Sequence, residues 1–255
     1  MNQLMKLDEE NMTHLTDTLA RVEGLTYERT GSLMTIRLDK PDGNLMTLNM
    51  CDSLAGFLRT PPDGIHVVVL EATGDSFCLG RERTAATPDD LPREVRRLID
   101  LNEAFAETSL VTVTRVQGNA AGFGVGLVAL ADVAVAVETA TFGFPEVKMD
   151  LAPTLVLAWL ARTIGRRQAF WMTATGSTVS GEEAVRIGLV NEVVRTEVDL
   201  DAAISRRVTV LQEHSPRVHS EIRSMLRSAT MLSEEQAYEL AADRLVLGSM
   251  RRRKM

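Results

Sequence analysis

The sequence predicts an α/β core followed by a helical C-terminal region, and three observations carry that expectation. Ile65-His66-Val67-Val68-Val69-Leu70 is too uniformly apolar for a surface strand and reads as a buried, parallel one. Helix-like and strand-like runs then alternate as far as Val137, the pattern of an α/β fold. Past Pro153 the apolar spacing becomes almost wholly helical.

Taken in order, Leu4, Leu7, Met12, Leu15, Leu19 and Val22 recur at helical spacing among polar residues, so residues 1–24 are expected to form an amphipathic helix. The core is expected over 25–195. It opens with runs 25–29 and 33–39, joined at Thr30-Gly31 in the manner of a β-hairpin, and Pro41-Asp42-Gly43 breaks the chain behind them. A short helix over 46–58 is stopped by Pro61-Pro62-Asp63-Gly64 ahead of the buried strand. Next come a helix over 93–105, a strand over 111–116, a helix over 122–130 and a strand over 133–137.

Helices are then predicted over 154–163, 166–175, 180–187, 200–213, 217–226 and 234–247, with one strand, 189–194, among them. Ser180 with Glu183 three residues on reads as a capping box, and Gly176 and Gly188 read as C-terminal stops. The helical region is expected to occupy 196–255. No internal repeat or low-complexity linker is visible.

Composition excludes several classes. Hydrophobic residues at 45% and charged residues at 25% match an ordinary globular protein. The net charge of −7 gives no global attraction to phosphodiesters, so no nucleic-acid partner is expected. The longest apolar stretch, 127–137, contains Asp132 and is far shorter than the ~20 residues a membrane span needs. The start, MNQLMKLDEENMTHL, has neither the basic and apolar regions of a secretory signal nor the acid-poor character of a transit peptide. Cys51 and Cys78, in apolar surroundings and outside C-x-x-C spacing, read as reduced core thiols. A cytoplasmic protein is the expectation.

Three segments carry candidate chemistry. Phe77-Cys78-Leu79-Gly80-Arg81 follows a buried strand, and Gly80 would let backbone N–H groups approach a ligand, as in an oxyanion hole, or would form a plain turn. Gly118-Asn119-Ala120-Ala121-Gly122-Phe123-Gly124-Val125-Gly126 lies between a strand and a helix, whose first N–H groups are free to bind a developing oxyanion. Its glycine spacing is not the dinucleotide G-x-G-x-x-G. In Thr141-Phe142-Gly143-Phe144-Pro145-Glu146-Val147 a lone carboxylate sits in an apolar stretch, where burial would raise its pKa and suit it to proton transfer. A carboxylate at the positive end of a helix is the alternative. His14, His66, His214 and His219 lack partners at metal-ligand spacing, so no metal site is expected.

In this order and at these separations the three segments resemble the crotonase family, also called the enoyl-CoA hydratase/isomerase family. The resemblance runs from about Leu25 into the C-terminal helices and includes Val116-Gln117-Gly118, Ala131-Asp132-Val133, Ala174-Thr175-Gly176 and the stretch 184–194. It implies a ββα-spiral core and an acyl-CoA substrate. It also implies oxyanion-hole donors from the backbones of Arg81 and Phe123, with Gly80, Gly122, Gly124 and Gly126 lining the substrate, and assembly as a trimer or dimer of trimers. Coenzyme A enters as part of the substrate, with no tightly bound cofactor. Candidates for its phosphates are Arg81, Arg83, Arg251, Arg252, Arg253 and Lys254.

The family's hydratases use two glutamates. Here the second is Glu146, and the position of the first holds Gly126, which transfers no proton. The resemblance therefore favours double-bond isomerisation of an enoyl-CoA by Glu146 alone. Hydration or dehydration, acyl-CoA hydrolysis and a non-catalytic acyl-CoA-binding role are the alternatives. Asp150 follows one turn after Glu146 and would raise its pKa by like-charge repulsion or stand as a solvated acid.

Overall fold

The computed structural model of the chain describes residues 22–84 and 87–252, and the expected N-terminal helix lies, up to residue 21, outside them. The chain divides into two compact units, the first ending at Glu213 and the second beginning at His214.

The first unit opens with the antiparallel hairpin β1 (Leu25–Thr30) and β2 (Leu33–Leu38), closed by the pair Thr30↔Leu33. Helix α1 (Leu48–Arg59) begins two residues later than its apolar spacing predicts. The Thr47 side chain accepts the Met50 N–H and fixes the start there. Its inner face buries Met50, Cys51, Leu54, Phe57 and Leu58.

Strands β3 (Val67–Ala72), β5 (Val111–Val116), β7 (Val133–Val137) and β10 (Glu192–Val194) continue from β2 as a parallel sheet in the order β1-β2-β3-β5-β7-β10. Val67 to Leu70 are all buried, which is why this stretch carries no polar alternation. The strand expected over 189–194 is shorter. Leu189 and Val190 donate their N–H groups to Ala184 O, at 2.8 and 3.3 Å, as the chain leaves the preceding helix, and pairing with β7 begins only at Glu192.

A second sheet, absent from the sequence reading, pairs β4 (Ser76–Cys78), β6 (Asn119–Ala121), β8 (Thr141–Gly143) and β9 (Val179–Ser180). β4 and β6 fall in the turn and glycine-rich segments, β8 in the apolar stretch before Glu146, and β9 at the start of the helix expected over 180–187. With α2 (Leu91–Glu107), α3 (Phe123–Leu130) and α4 (Thr154–Thr175), they complete three ββα units: β3-β4-α2, β5-β6-α3 and β7-β8-α4. This is the expected ββα spiral. Each unit sends one strand to the main sheet and the next to the second sheet.

Strands of three residues make few ladder bonds, so side chains hold them. Phe77 on β4, Phe142 on β8 and Phe144 just beyond it are fully buried, each contributing about 1.5–3 kcal/mol relative to exposure. Buried Gln117 donates to Gly74 O and Ser76 O, at 3.1 and 3.0 Å, and buried Asn44 donates to Thr73 O and Ser76 O, at 2.9 and 2.8 Å. These amides tie the β3–β4 turn to its neighbours and satisfy carbonyls that a short strand leaves unpaired.

Gly165, at φ 78°, divides α4 into the two helices expected over 154–163 and 166–175. In α5 (Gly181–Arg186) only half of the expected capping box forms. Ser180 Oγ accepts the Glu183 N–H at 3.2 Å, while the Glu183 carboxylate pairs with Arg186. A complete box instead starts α6 (Glu197–Gln212), between Thr196 and Asp199. The second unit is a pair of helices, α7 (Pro216–Ala229) and α8 (Glu234–Arg252), and no residue of α7 is buried. Among the described residues no helix is long and apolar enough to cross a membrane.

Candidate active site

The second sheet brings the three chemical segments side by side. Parallel pairing sets Cys78 beside Ala120, then Ala120 beside Phe142 and Ala121 beside Gly143. Arg81, Phe123 and Glu146 each follow three residues after one of these paired positions, Cys78, Ala120 and Gly143, so they emerge at the carboxyl ends of three neighbouring strands. Helix α3 starts two residues after β6, so its first N–H groups lie at this end.

The backbone directs the first candidate donor. Met46 pairs with Arg81 in an isolated parallel bridge, in which Met46 N–H donates to Gly80 O at 3.1 Å and Glu82 N–H donates to Met46 O at 3.0 Å. In a parallel ladder the residue between two such bonds turns its own N–H to the opposite side, so the Arg81 amide points away from Met46.

The second candidate donor stands at a helix start. Phe123 is the first residue of α3, and the Gly122 N–H ahead of it donates to Gly143 O at 2.9 Å. Among the described residues no side chain caps this helix. The Phe123 side chain is buried. Gly124 lets the helix start press onto β4, since a Cβ there would meet Cys78 O at 2.0 Å.

Glu146 lies in a 3₁₀ turn, Pro145–Met149, and is half-buried. Its Oε2 is buried and has no hydrogen-bond partner among the described residues. Gly122 takes φ 51°, and a Cβ there would stand 2.4 Å from Glu146 Oε1. The carboxylate therefore lies against the entry to α3, beside Phe123. Burial raises its pKa above the usual 4.5, opposed by its own backbone N–H and the charge of Arg83. Asp150 plays no part in this shift. It is exposed, in a left-handed conformation at φ 57°, which corrects the like-charge explanation and leaves the solvated acid.

Gly126 sits inside α3, where a Cβ would meet Val156 Cγ2 at 3.0 Å and Trp159 Cζ2 at 3.1 Å. Trp159 Nε1–H also donates to Gly126 O at 3.2 Å. The ring and the valine fill the space that a side chain at position 126 would use. An indole 33 residues away along the chain leaves no local sign in the sequence.

Among the expected phosphate cations, the Arg81 guanidinium turns inward and pairs with buried Glu94. Arg83 is exposed, and Arg251 pairs with Glu221 at 2.8 Å. Nothing is described of the Arg252 side chain, and Arg253 and Lys254 lie outside the described residues. Glu94 was not singled out from the sequence, because an acid in the first turn of an amphipathic helix looks like a surface residue.

Two backbone N–H groups and one partly desolvated carboxylate at adjacent strand ends are suited to stabilising an oxyanion while moving a proton close by. A family model described as enoyl-CoA hydratase/isomerase matches residues 28–253. An enoyl-CoA hydratase domain-containing protein 3, mitochondrial, from Danio rerio is 32% identical over 84% of this chain and 76% of its own length. A probable enoyl-CoA hydratase from Mycobacterium tuberculosis is 28% identical over 85% of this chain and 87% of its own. The crystal structure of an enoyl-CoA hydratase from Mycobacterium smegmatis superimposes with a TM-score of 0.84 at 26% identity, covering 90% of this chain and 92% of that one.

Proposed function

The chain belongs to the enoyl-CoA hydratase/isomerase family, and from that premise we propose that it shifts the double bond of an enoyl-CoA with Glu146 as its single acid–base group. The observation that carries this reading is the packing around Gly126. Hydration needs one group to activate water and another to deliver a proton. At the position of the family's first glutamate this chain has a glycine enclosed by Val156 and Trp159. Glu82, next to Arg81, and Asp150, one turn after Glu146, are poorly suited as substitutes, since Glu82 is bonded to Lys40 and Asp150 is exposed.

In the proposed reaction the thioester oxygen of a 3-enoyl-CoA accepts hydrogen bonds from the N–H groups of Arg81 and Phe123. Glu146 removes a proton from C2, and the electron pair delocalises into a dienolate whose charge rests largely on that oxygen. The same carboxyl group returns the proton at C4, giving the 2-enoyl-CoA. A carboxylate with a raised pKa and an Oε2 that has no partner among the described residues is fitted to take up and release a proton within one cycle. Coenzyme A is the carrier, bound as part of the substrate.

The names of the relatives favour a second reading, hydration of an enoyl-CoA. It requires an acid that Gly126 does not supply. Buried, unpaired Cys51 and Cys78 support a reducing compartment, and the cytoplasm is the one proposed. Assembly as a trimer or dimer of trimers belongs to the same proposal, supported by exposed Phe170 and Trp171 on α4. A panel of acyl-CoA thioesters, with double-bond migration, hydration and free-thiol release followed separately, tests the reading. Migration as the fastest process supports it, and hydration or thiol release as the fastest refutes it.

A further inference from the structure

We propose that Glu94 is a positioning residue that holds the Gly80–Arg81 peptide so that the Arg81 N–H faces the thioester oxygen. The inference rests on the oxyanion role proposed above and adds the group that keeps that donor in place.

Glu94 lies in the first turn of α2, where the helix dipole favours an anion, and its side chain is only 3% exposed. Its Oε1 accepts from the Arg81 guanidinium, and its Oε2 accepts from both the backbone N–H and the hydroxyl of Thr84, at 3.3 and 3.2 Å. One buried carboxylate thus grips both ends of the segment 81–84. An arginine beside an oxyanion donor would otherwise be free to swing its long side chain across the thioester. Here the guanidinium is drawn onto α2, and it also donates to Glu82 O of its own loop at 3.2 Å.

The carbonyl side of the same peptide is held independently. Gly80 O accepts from Met46 N–H at 3.1 Å and from Cys78 Sγ at 3.2 Å. Burial pushes the Cys78 thiol up to about 12, so it keeps its proton at neutral pH and remains a donor. Donors on the carbonyl of an amide also polarise its N–H and strengthen it as a donor. With its carbonyl oxygen bonded and the Arg81 side chain tied to α2, the peptide has little freedom to rotate its N–H out of the site. The Met46 bonds on either side of Arg81 set the direction of its amide, and the carboxylate adds the hold on the Arg81 side chain and on Thr84 that keeps the segment there.

The test uses a conjugated 2,4-dienoyl-CoA, whose absorption moves to longer wavelength when its carbonyl is polarised. The full-length wild type and Glu94→Gln are each titrated with it, and their thermal midpoints are recorded. The expected result is a wild-type red shift that Glu94→Gln largely loses while its Kd changes by less than about threefold and its midpoint stays close to wild type. The kcat for isomerisation should fall on the order of 10²-fold at nearly unchanged KM, the scale of a ~1 Å misplacement. A purely structural role would lower the midpoint and leave the shift of the folded protein intact. If Glu94→Gln does not fold, Arg81→Met with Glu94→Met removes both charges of the pair, and it too should bind without the shift. A full red shift in either folded variant overturns the inference. A wild type that binds without any shift overturns the oxyanion reading itself and this inference with it.

Discussion

Gly122 and Glu146 share one small volume: a Cβ on Gly122 would lie 2.4 Å from Glu146 Oε1 and 3.2 Å from its Cδ. The glycine therefore sets the position of the carboxylate as well as the turn into α3. Gly122→Ala should displace the carboxylate, because the obstructing atoms are the end of a flexible side chain. A loss of about 10–100-fold in kcat is expected in a folded protein, on the scale of a ~1 Å misplacement. The positive φ of 51° adds backbone strain of about 1–3 kcal/mol for a residue with a Cβ, which thermal melting will show. Unchanged turnover in the folded variant would mean that the exact position of Glu146 is immaterial.

The pH dependence follows from the raised pKa of Glu146. Its native form holds the proton to a higher pH than its unfolded form. Its contribution to stability is thus fully present below the unfolded value of about 4.5 and is lost as pH rises through the folded value. Glu146→Gln should consequently melt at the same or a higher temperature than wild type at neutral pH. The acid limb of kcat/KM should lie above 4.5, since the base is the ionised form. Arg83→Gln should move that limb upward by removing a charge that favours ionisation. A limb at or below 4.5 in the wild type would separate Glu146 from the reaction.

Restoring a glutamate at position 126 should not create a hydratase. The new side chain would push against Val156 at 3.0 Å and Trp159 at 3.1 Å, and overpacking of this kind costs about 1–3 kcal/mol. Gly126→Glu is expected to melt several degrees lower and to hydrate crotonyl-CoA no faster than wild type. A stable variant with new hydratase activity would show that the indole is easily displaced.

Phe123 permits a comparison of two substitutions. As the first residue of α3 it occupies the helix position that best tolerates proline. Phe123→Pro and Phe123→Ala both remove the buried ring, but only proline removes the N–H. The proline variant should turn over about 10²–10³-fold more slowly than the alanine variant, the cost of one oxyanion donor. Equal rates in two folded variants would exclude this N–H from the hole.

The centre of the main sheet was legible because β3, β5 and β7 are buried on both faces and long enough to show as apolar runs; β5 and β7 match their expected bounds. The second sheet was not. Three residues such as Asn119-Ala120-Ala121 show no period, and their pairing is set by chain segments some 20 to 40 residues away. Glu146, Gly122 and the two donor backbones could be named from local motifs. Trp159, Glu94 and the thiol of Cys78 could not, because their effect on the site depends on helices and turns that meet only in the folded chain.

The central claim, a single glutamate moving a proton between C2 and C4, is tested most directly by two rates measured on wild type and Glu146→Gln. These are conversion of a 3-enoyl-CoA to its 2-enoyl isomer and hydration of crotonyl-CoA. Wild type should isomerise faster than it hydrates, and Glu146→Gln should lose at least ~100-fold of the isomerisation while remaining folded, the low end of general acid–base contributions. Faster hydration than isomerisation in the wild type, or undiminished isomerisation in a folded Glu146→Gln, would contradict the account.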